Sequence, residues 1–372
     1  MKVCVLTTVH DYNDNRVYYK ETLSLLEMGY DIVYMAQDAS KTGNKQIKCV
    51  DLKSKKTFIQ KLLYLFEVFR IARAENCDVY HFHDPELIYV GLLLKMFTKA
   101  KVVYDVHEDY PSQMLSKFYL KSWMRKPLYH IMRFSEKLAN KYFDAIITAD
   151  NFVEKHFTNK KTIVVYNYPD VKKIEDSISD RNAEKQWDVI FPGSMSWFTT
   201  NMILEAVKIV RNKWKPIKTI LISPFHEGGI SRVENRIKDL GLDLDDFILM
   251  KNIPPYNVPN YIVRSRIGLI PLQDTPKMRS NIPTKLFEYM YCGIPVVVAD
   301  LPPMAQYLNS VDVGFMVNPN SAQEYADKII FLLENTDVAK SMGEDGFKLV
   351  SSEYNWNREK RKMEKLYASF SV

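Results

Sequence analysis

The feature that most limits what this chain can become is an alternation that occurs twice. A short apolar run gives way to a stretch with helical spacing, and then another apolar run follows. In the first half the runs are Lys2 to Thr7, Asp31 to Ala36, Val79 to Phe82, Lys101 to Val106, Asp144 to Ala149 and Thr162 to Tyr166. In the second half they are Asp188 to Phe191, Lys218 to Ile222, Phe247 to Met250, Ile267 to Pro271, Val296 to Ala299 and Gly314 to Val317. Helical spacing marks Val17 to Met28, Lys53 to Arg73, Glu86 to Phe97, Met202 to Val210, Ser321 to Leu333 and Val338 to Val350. Continuous apolar runs are typical of parallel strands covered on both faces. Strands alternating with helices predict doubly wound parallel sheets. The polar, charged stretch from Asn167 to about Gln186 is the best boundary between the halves. The expected class is α/β, with two Rossmann-like domains at residues 1–170 and 188–354 and a linker at 171–187. At 372 residues and 47% hydrophobic content, each half can bury a core.

One stretch combines this pattern with chemistry. Ser280 to Val298 reads as a loop, a short helix, a glycine stop at Gly293 and a buried strand. Pro283 suits a first helical turn, where its missing N–H costs nothing. Gly293 suits the left-handed position past a helix end, with Pro295 soon after. Thr284, Lys285 and Glu288 fall on the opening turns. A helix N-terminus carries unpaired N–H groups and partial positive charge, which attract phosphate. Lys285 adds a full charge, and Glu288 is placed to accept hydrogen bonds from ribose hydroxyls. The plain alternative is an amphipathic helix with a solvated Lys and Glu.

The stretch resembles the signature of glycosyltransferase family 4, retaining enzymes of the GT-B fold, in which two such domains face a central cleft. In that family two glutamates are separated by seven residues. Glu288 matches the second, which binds the donor's ribose; the first falls at Ser280, a departure. The family also places an arginine just after the glycine at Gly193, and a lysine a few residues later. Here Ser194 and Met195 follow Gly193. The resemblance therefore assigns the donor to Gly193, Ser194, Ser280, Asn281, Thr284, Lys285 and Glu288. Lys277 and Arg279 are candidates for the missing positive charge.

In open α/β sheets, ligands gather beyond the carboxyl ends of the strands. His83 and Asp84 follow one strand, and His107 and Glu108 follow another. Asp84-Pro85 also reads as the cap of the next helix. The resemblance puts a histidine at the place of His107, bonded to the donor sugar near the reacting carbon. It gives His107 a positioning and charge-stabilising role, with Asp84 and Glu108 beside it. Arg16, in the polar loop after the first strand, and His83 are candidates for acceptor contact. That first unit lacks a glycine-rich phosphate loop, so no dinucleotide fingerprint is present.

Residues 111–142 carry Lys117, Lys121, Arg125, Lys126, Arg133, Lys137 and Lys141 among aromatic and aliphatic residues, with Glu136 the one acid. Such a surface suits an anionic membrane, and many relatives use lipid-linked acceptors. A net charge of +6 is too small to argue for nucleic acid. No run of about 20 apolar residues predicts a membrane span, and Met1 to Leu6 does not read as a signal peptide. The four cysteines show no close pairing, which suits a reducing cytoplasm. Leu242 to Asp246 contains Asp-x-Asp, read as a solvated loop. The last helix, Arg358 to Phe370 within 355–372, is expected to cross back to the first domain.

The resemblance implies an enzyme that moves a sugar from a nucleoside diphosphate, uridine favoured over guanosine, to a glycan or lipid-linked acceptor in surface polysaccharide synthesis, including capsule or lipopolysaccharide. No metal or cofactor is expected. The cytoplasm, peripherally at the inner face of the plasma membrane, is the expected location. The rivals are a non-catalytic adaptor that keeps the fold, and an epimerase or phosphorylase on it.

Overall fold

The computed structural model describes residues 1–53, 58–116, 120–158, 161–225, 228–251, 253–309 and 311–370. The chain divides into two compact units. The first comprises Met1–Asn167 with Trp356–Val372, and the second Tyr168–Asn355.

The first unit holds a seven-stranded sheet. Its strands are β1 (Lys2–Asp11), β2 (Asp31–Gln37), β3 (Lys48–Leu52), β4 (Val79–Phe82), β5 (Lys101–Val106), β6 (Ala145–Thr148) and β7 (Thr162–Val164). All pairs are parallel, in the order β3-β2-β1-β4-β5-β6-β7. Both faces are covered. Cys4 and Leu6 point into one core with Val33, Tyr80, Phe82 and Tyr104. Val3 and Val5 point into the other with Val79, Val103, Ala145 and Tyr367. This is why the strands read as unbroken apolar runs. β3 escaped the sequence reading because it is a polar edge strand with Lys48 and Asp51 exposed.

The second unit holds β8 (Trp187–Pro192), β9 (Thr219–Ile222), β10 (Phe247–Met250), β11 (Ser265–Ile270), β12 (Val296–Ala299) and β13 (Gly314–Val317). They too pair parallel, in the order β10-β9-β8-β11-β12-β13. In each sheet the order reverses once, between β1 and β4 and between β8 and β11. Such a reversal opens a crevice beyond the carboxyl ends, where ligands bind in doubly wound folds.

Several expected boundaries move. Val17 to Met28 is a π-helix, Asn15–Thr22, followed by an α-helix, Leu23–Glu27. Asp14 caps it, accepting from the amides of Arg16 and Val17 at 2.8 Å each. Lys53 to Arg73 is helical over Phe58–Ala74, with 54–57 outside the described residues. The helix expected from Met202 begins earlier, at Trp197, because Ser196 Oγ caps it by accepting from Thr199 N at 3.2 Å. The segment expected as linker holds a helix, Val171–Ser177, capped by Asp170. The basic segment forms helices Tyr110–Ser116 and Ser122–Tyr142, while Lys117, Phe118 and Tyr119 lie outside the described residues. The last helix starts at Trp356, whose indole N–H donates to Ser24 Oγ at 2.9 Å. The Asp-x-Asp stretch is a short turn in which Asp243 accepts from Asp245 N.

Candidate active site

In the second unit two of the donor-site candidates, Gly193 and Lys285, meet at the reversal of strand order. β8 ends at Pro192, and the chain turns through Gly193 with φ +112, which a side chain tolerates poorly. A Cβ at Gly193 would also stand 3.1 Å from Lys285 Nζ. The lysine belongs to the helix Lys285–Tyr291, which is locked from below. Tyr289, fully buried, donates its hydroxyl toward Ile190 O and Leu269 O, each at 3.2 Å. That contact requires Gly268, because a Cβ there would meet the Tyr289 ring at 2.4 Å. One glycine thus lets the helix sit on the sheet, and another leaves room for the lysine that the helix carries.

Lys285 Nζ lies 3.8 Å from the centre of the Phe191 ring. Burial pulls its pKa down to about 8, with Glu288 opposing the shift. An ammonium held against an aromatic face keeps its charge but is poorly solvated. An anion brought to this loop would relieve that desolvation. The expected row of unpaired amides is not found, however. The amides of Leu286, Phe287 and Glu288 bond to the carbonyls of Pro283 and Thr284 at 3.0–3.2 Å, since the first turn is wound tightly. These three amides are therefore engaged within the chain, and the helix presents the Lys285 side chain beside Gly193. Glu288 is half-buried one turn on, while Ser194 and Asn281 are exposed. Ser280 sits in a turn, its hydroxyl donating to Lys277 O. Arg279, one candidate for the missing positive charge, is exposed and paired with Asp274 through two contacts at 2.6 and 2.7 Å. A basic group that sequence reading missed packs on the segment that follows Gly193: Arg232 stacks on Trp197, 3.8 Å from the ring centre.

In the first unit the strand ends build a buried charged cluster. Val79, His81 and His83 share one face of the β4 line, and Val103, Asp105 and His107 share the same face of β5. This period-2 placement brings the polar residues together. Arg16 is 5% exposed, and its guanidinium reaches both Asp105 oxygens at 3.1 Å, Val165 O at 2.9 Å and Glu21 Oε1 at 2.8 Å. Asp105, despite burial, is held well below the usual carboxylate range by Arg16, His107 and His81. Arg16 was expected to touch the acceptor; its charge is instead consumed inside the unit. His83, with the same expectation, has no exposed surface, and its Nδ1 lies 3.1 Å from His107 Nε2. Burial holds His83 well below the ordinary histidine value.

His107 is the more accessible imidazole, 12% exposed, with Nε2 at 3.3 Å from Asp105 Oδ1. Burial lowers its pKa, so it is neutral near pH 7, oriented by a carboxylate. His10, missed in the sequence, packs its ring 5.0 Å from that of His107. Burial disfavours its charged form, but Asp14 at 3.2 Å and Asp84 outweigh this and raise its pKa. Asp84 does not cap the following turn, Pro85–Leu87. Its carboxylate accepts from Thr7 Oγ1 at 2.9 Å and from the amides of Thr8 and Val9, pinning the end of β1 to that of β4. Glu108 accepts from Gln113 Nε2.

Two family models meet in the middle of the chain. Residues 15–173 match "Glycosyltransferase Family 4", and residues 172–349 match "Glycosyl transferases group 1". The chain belongs to glycosyltransferase family 4, on the GT-B fold. An uncharacterised glycosyltransferase of Methanocaldococcus jannaschii is 22% identical over 281 residues, spanning 73% of this chain and 69% of that one. Sucrose-phosphate synthase from Thermosynechococcus elongatus superposes with TM-score 0.73 at 14% identity, covering 99% of this family 4 chain and 98% of that one. HepE of Anabaena, solved with UDP, gives TM-score 0.72 at 16% identity, with 99% and 100% covered. At such identities these structures share the fold.

Proposed function

We propose that this glycosyltransferase is a retaining, metal-independent hexosyl-type enzyme that draws its sugar from a nucleoside diphosphate. The carrying observation is the Lys285 ammonium, partly desolvated over Phe191 beside Gly193 at the reversal of strand order in the second unit. A diphosphate there would gain a charge-assisted contact and offset leaving-group charge as the glycosidic bond breaks. Thr284, Ser194, Ser280 and Asn281 supply further polar groups, and Glu288 is assigned to the ribose. HepE is described with UDP and with UDP-glucose, which favours uridine. His107 is assigned to positioning and charge stabilisation at the transferring sugar, with Asp84 and Glu108 as supports. A glycan or lipid-linked glycan of surface polysaccharide synthesis, in capsule or lipopolysaccharide, is the acceptor class. Helix Ser122–Tyr142 supports a peripheral membrane location in the cytoplasm, since Trp123, Ile131 and Phe134 are exposed among its basic residues.

A second reading, a nucleotide-binding adaptor without turnover, is favoured by Ser280 and Ser194 standing where the family has charged residues. Incubating the chain with UDP- and GDP-sugars, with and without acceptor glycans, separates the two. Acceptor-dependent release of UDP supports the enzyme. Binding without release under any acceptor supports the adaptor.

A further inference from the structure

We propose that Glu21, His81, His83 and Asp105 form a structural divalent-cation site in the first unit, with zinc the fitting ion. The four side chains have no measurable exposure, and one donor atom from each lies within 4.8 Å of all the others. Glu21 Oε2 stands 3.7 Å from His81 Nε2 and 3.7 Å from His83 Nδ1, and His81 Nε2 stands 3.7 Å from Asp105 Oδ2. These separations are too long for hydrogen bonds. Two donors about 2.0–2.1 Å from a tetrahedral zinc stand about 3.4 Å apart, so the three pairs at 3.7 Å need a contraction of a few tenths of an ångström, and the other pairs, all within 4.8 Å, close around the ion with them.

The second observation is the state of those atoms. Both Glu21 oxygens and His81 Nε2 are buried without a hydrogen-bond partner. Glu21 Oε1 touches Arg16 Nε at 2.8 Å in an ion pair that lacks hydrogen-bond alignment, while Oε2 is turned to the imidazoles. Buried polar atoms without partners are uncommon, and here several point at one another. Two imidazoles and two carboxylates are a donor set that suits zinc among abundant divalent ions.

The surroundings fix the donors as outer-shell groups do in metal sites. Tyr367, on the last helix, meets His81 Nδ1 at 2.7 Å, which leaves Nε2 turned inward. Arg16 clamps Asp105 through both oxygens. His107 meets His83. The opposing effect is the positive charge on Arg16. Burial and the neighbouring Asp105 hold Glu21 well above the usual carboxylate range, with Arg16 opposing, so a dication bound there displaces the Glu21 proton. The site joins β4 and β5 to helix Asn15–Thr22, and through Tyr367 to the last helix. Its role is to hold the first unit together, apart from the transfer step for which no metal is expected.

The test uses the full chain, stripped with a chelator and titrated with Co2+ and Zn2+. We expect one Co2+ per chain, with the strong visible absorption of a tetrahedral site, displacement by Zn2+, and a melting temperature several degrees higher with Zn2+ than with chelator. Glu21→Gln, which keeps the side-chain shape, loses the cobalt absorption. The proposal is overturned by an unchanged melting temperature together with no stoichiometric cobalt spectrum. An undiminished spectrum in Glu21→Gln overturns it equally, by placing the ion elsewhere. If Glu21→Gln does not fold, the wild-type melting comparison decides. None of these readouts involves nucleotide binding, so the donor-site reading stands or falls separately.

Discussion

Lys285 carries most of the electrostatic argument at the scale of single residues. A lysine whose folded pKa is near 8, against 10.5 in the unfolded chain, costs stability wherever the unfolded chain is protonated and the folded site resists it. Stability from this group is therefore complete above 10.5 and falls as the pH drops through about 8. At pH 7 the cost is about 3 kcal/mol. Lys285→Met is expected to raise the melting temperature of the ligand-free chain at pH 7, and to leave it nearly unchanged above pH 10.5. A fall at pH 7 would contradict the assigned strain. Binding of a diphosphate restores the lysine's charge, so titration calorimetry at pH 8.5 in buffers of different ionisation enthalpy should show proton uptake. His107 makes a different demand. With its imidazole neutral and oriented by Asp105, His107→Ala is expected to lower kcat by about 10²–10⁴-fold, with a much smaller change in donor KM. Intact turnover would remove it from the transfer step.

At the scale of elements, the helix Lys285–Tyr291 is only as well placed as its seat on the sheet allows. Gly268→Val drives a side chain into the Tyr289 ring and breaks the two hydroxyl contacts to Ile190 and Leu269. The expected loss is about 2–3 kcal/mol, visible in denaturant titration as a lower midpoint. An unchanged midpoint would mean the helix is held by other contacts. The helix Ser122–Tyr142 makes a separate prediction. It should hold the chain on anionic vesicles in sedimentation at physiological salt and release it as salt rises further. Indifference to anionic lipid at physiological salt would leave the exposed Trp123 and Phe134 unexplained by membrane contact. Most elements were readable from the sequence because covered parallel strands leave unbroken apolar runs. The polar edge strand β3 left none, and the aromatic start of helix Trp197–Lys213 hid its cap. Within the site, Lys285 and Glu288 were legible because the helix that carries them is punctuated by Pro283 and Gly293. His81, Glu21 and His10 were not. Pairing parallel strands brings residues distant in sequence onto one face, and no local period reports that.

For the whole molecule, two sheets of the same construction divide the work. Each reverses its strand order once, and each reversal gathers polar side chains that neither flanking strand could assemble alone. In the first unit the gathered groups pair mostly with one another, which is why Arg16 and His83 face the interior and not an acceptor in solvent. In the second unit the gathered cation faces an aromatic ring and a bare glycine, an arrangement that gains from an added anion. That asymmetry is the reason the proposed donor phosphates are put on the second unit. Calorimetric titration of UDP into wild type and Lys285→Ala tests it most directly. The account predicts measurable binding by wild type and an affinity at least about tenfold weaker in the variant, a difference of about 1.4 kcal/mol. Equal affinities in the two chains, or no binding of any nucleoside diphosphate by wild type, would contradict it.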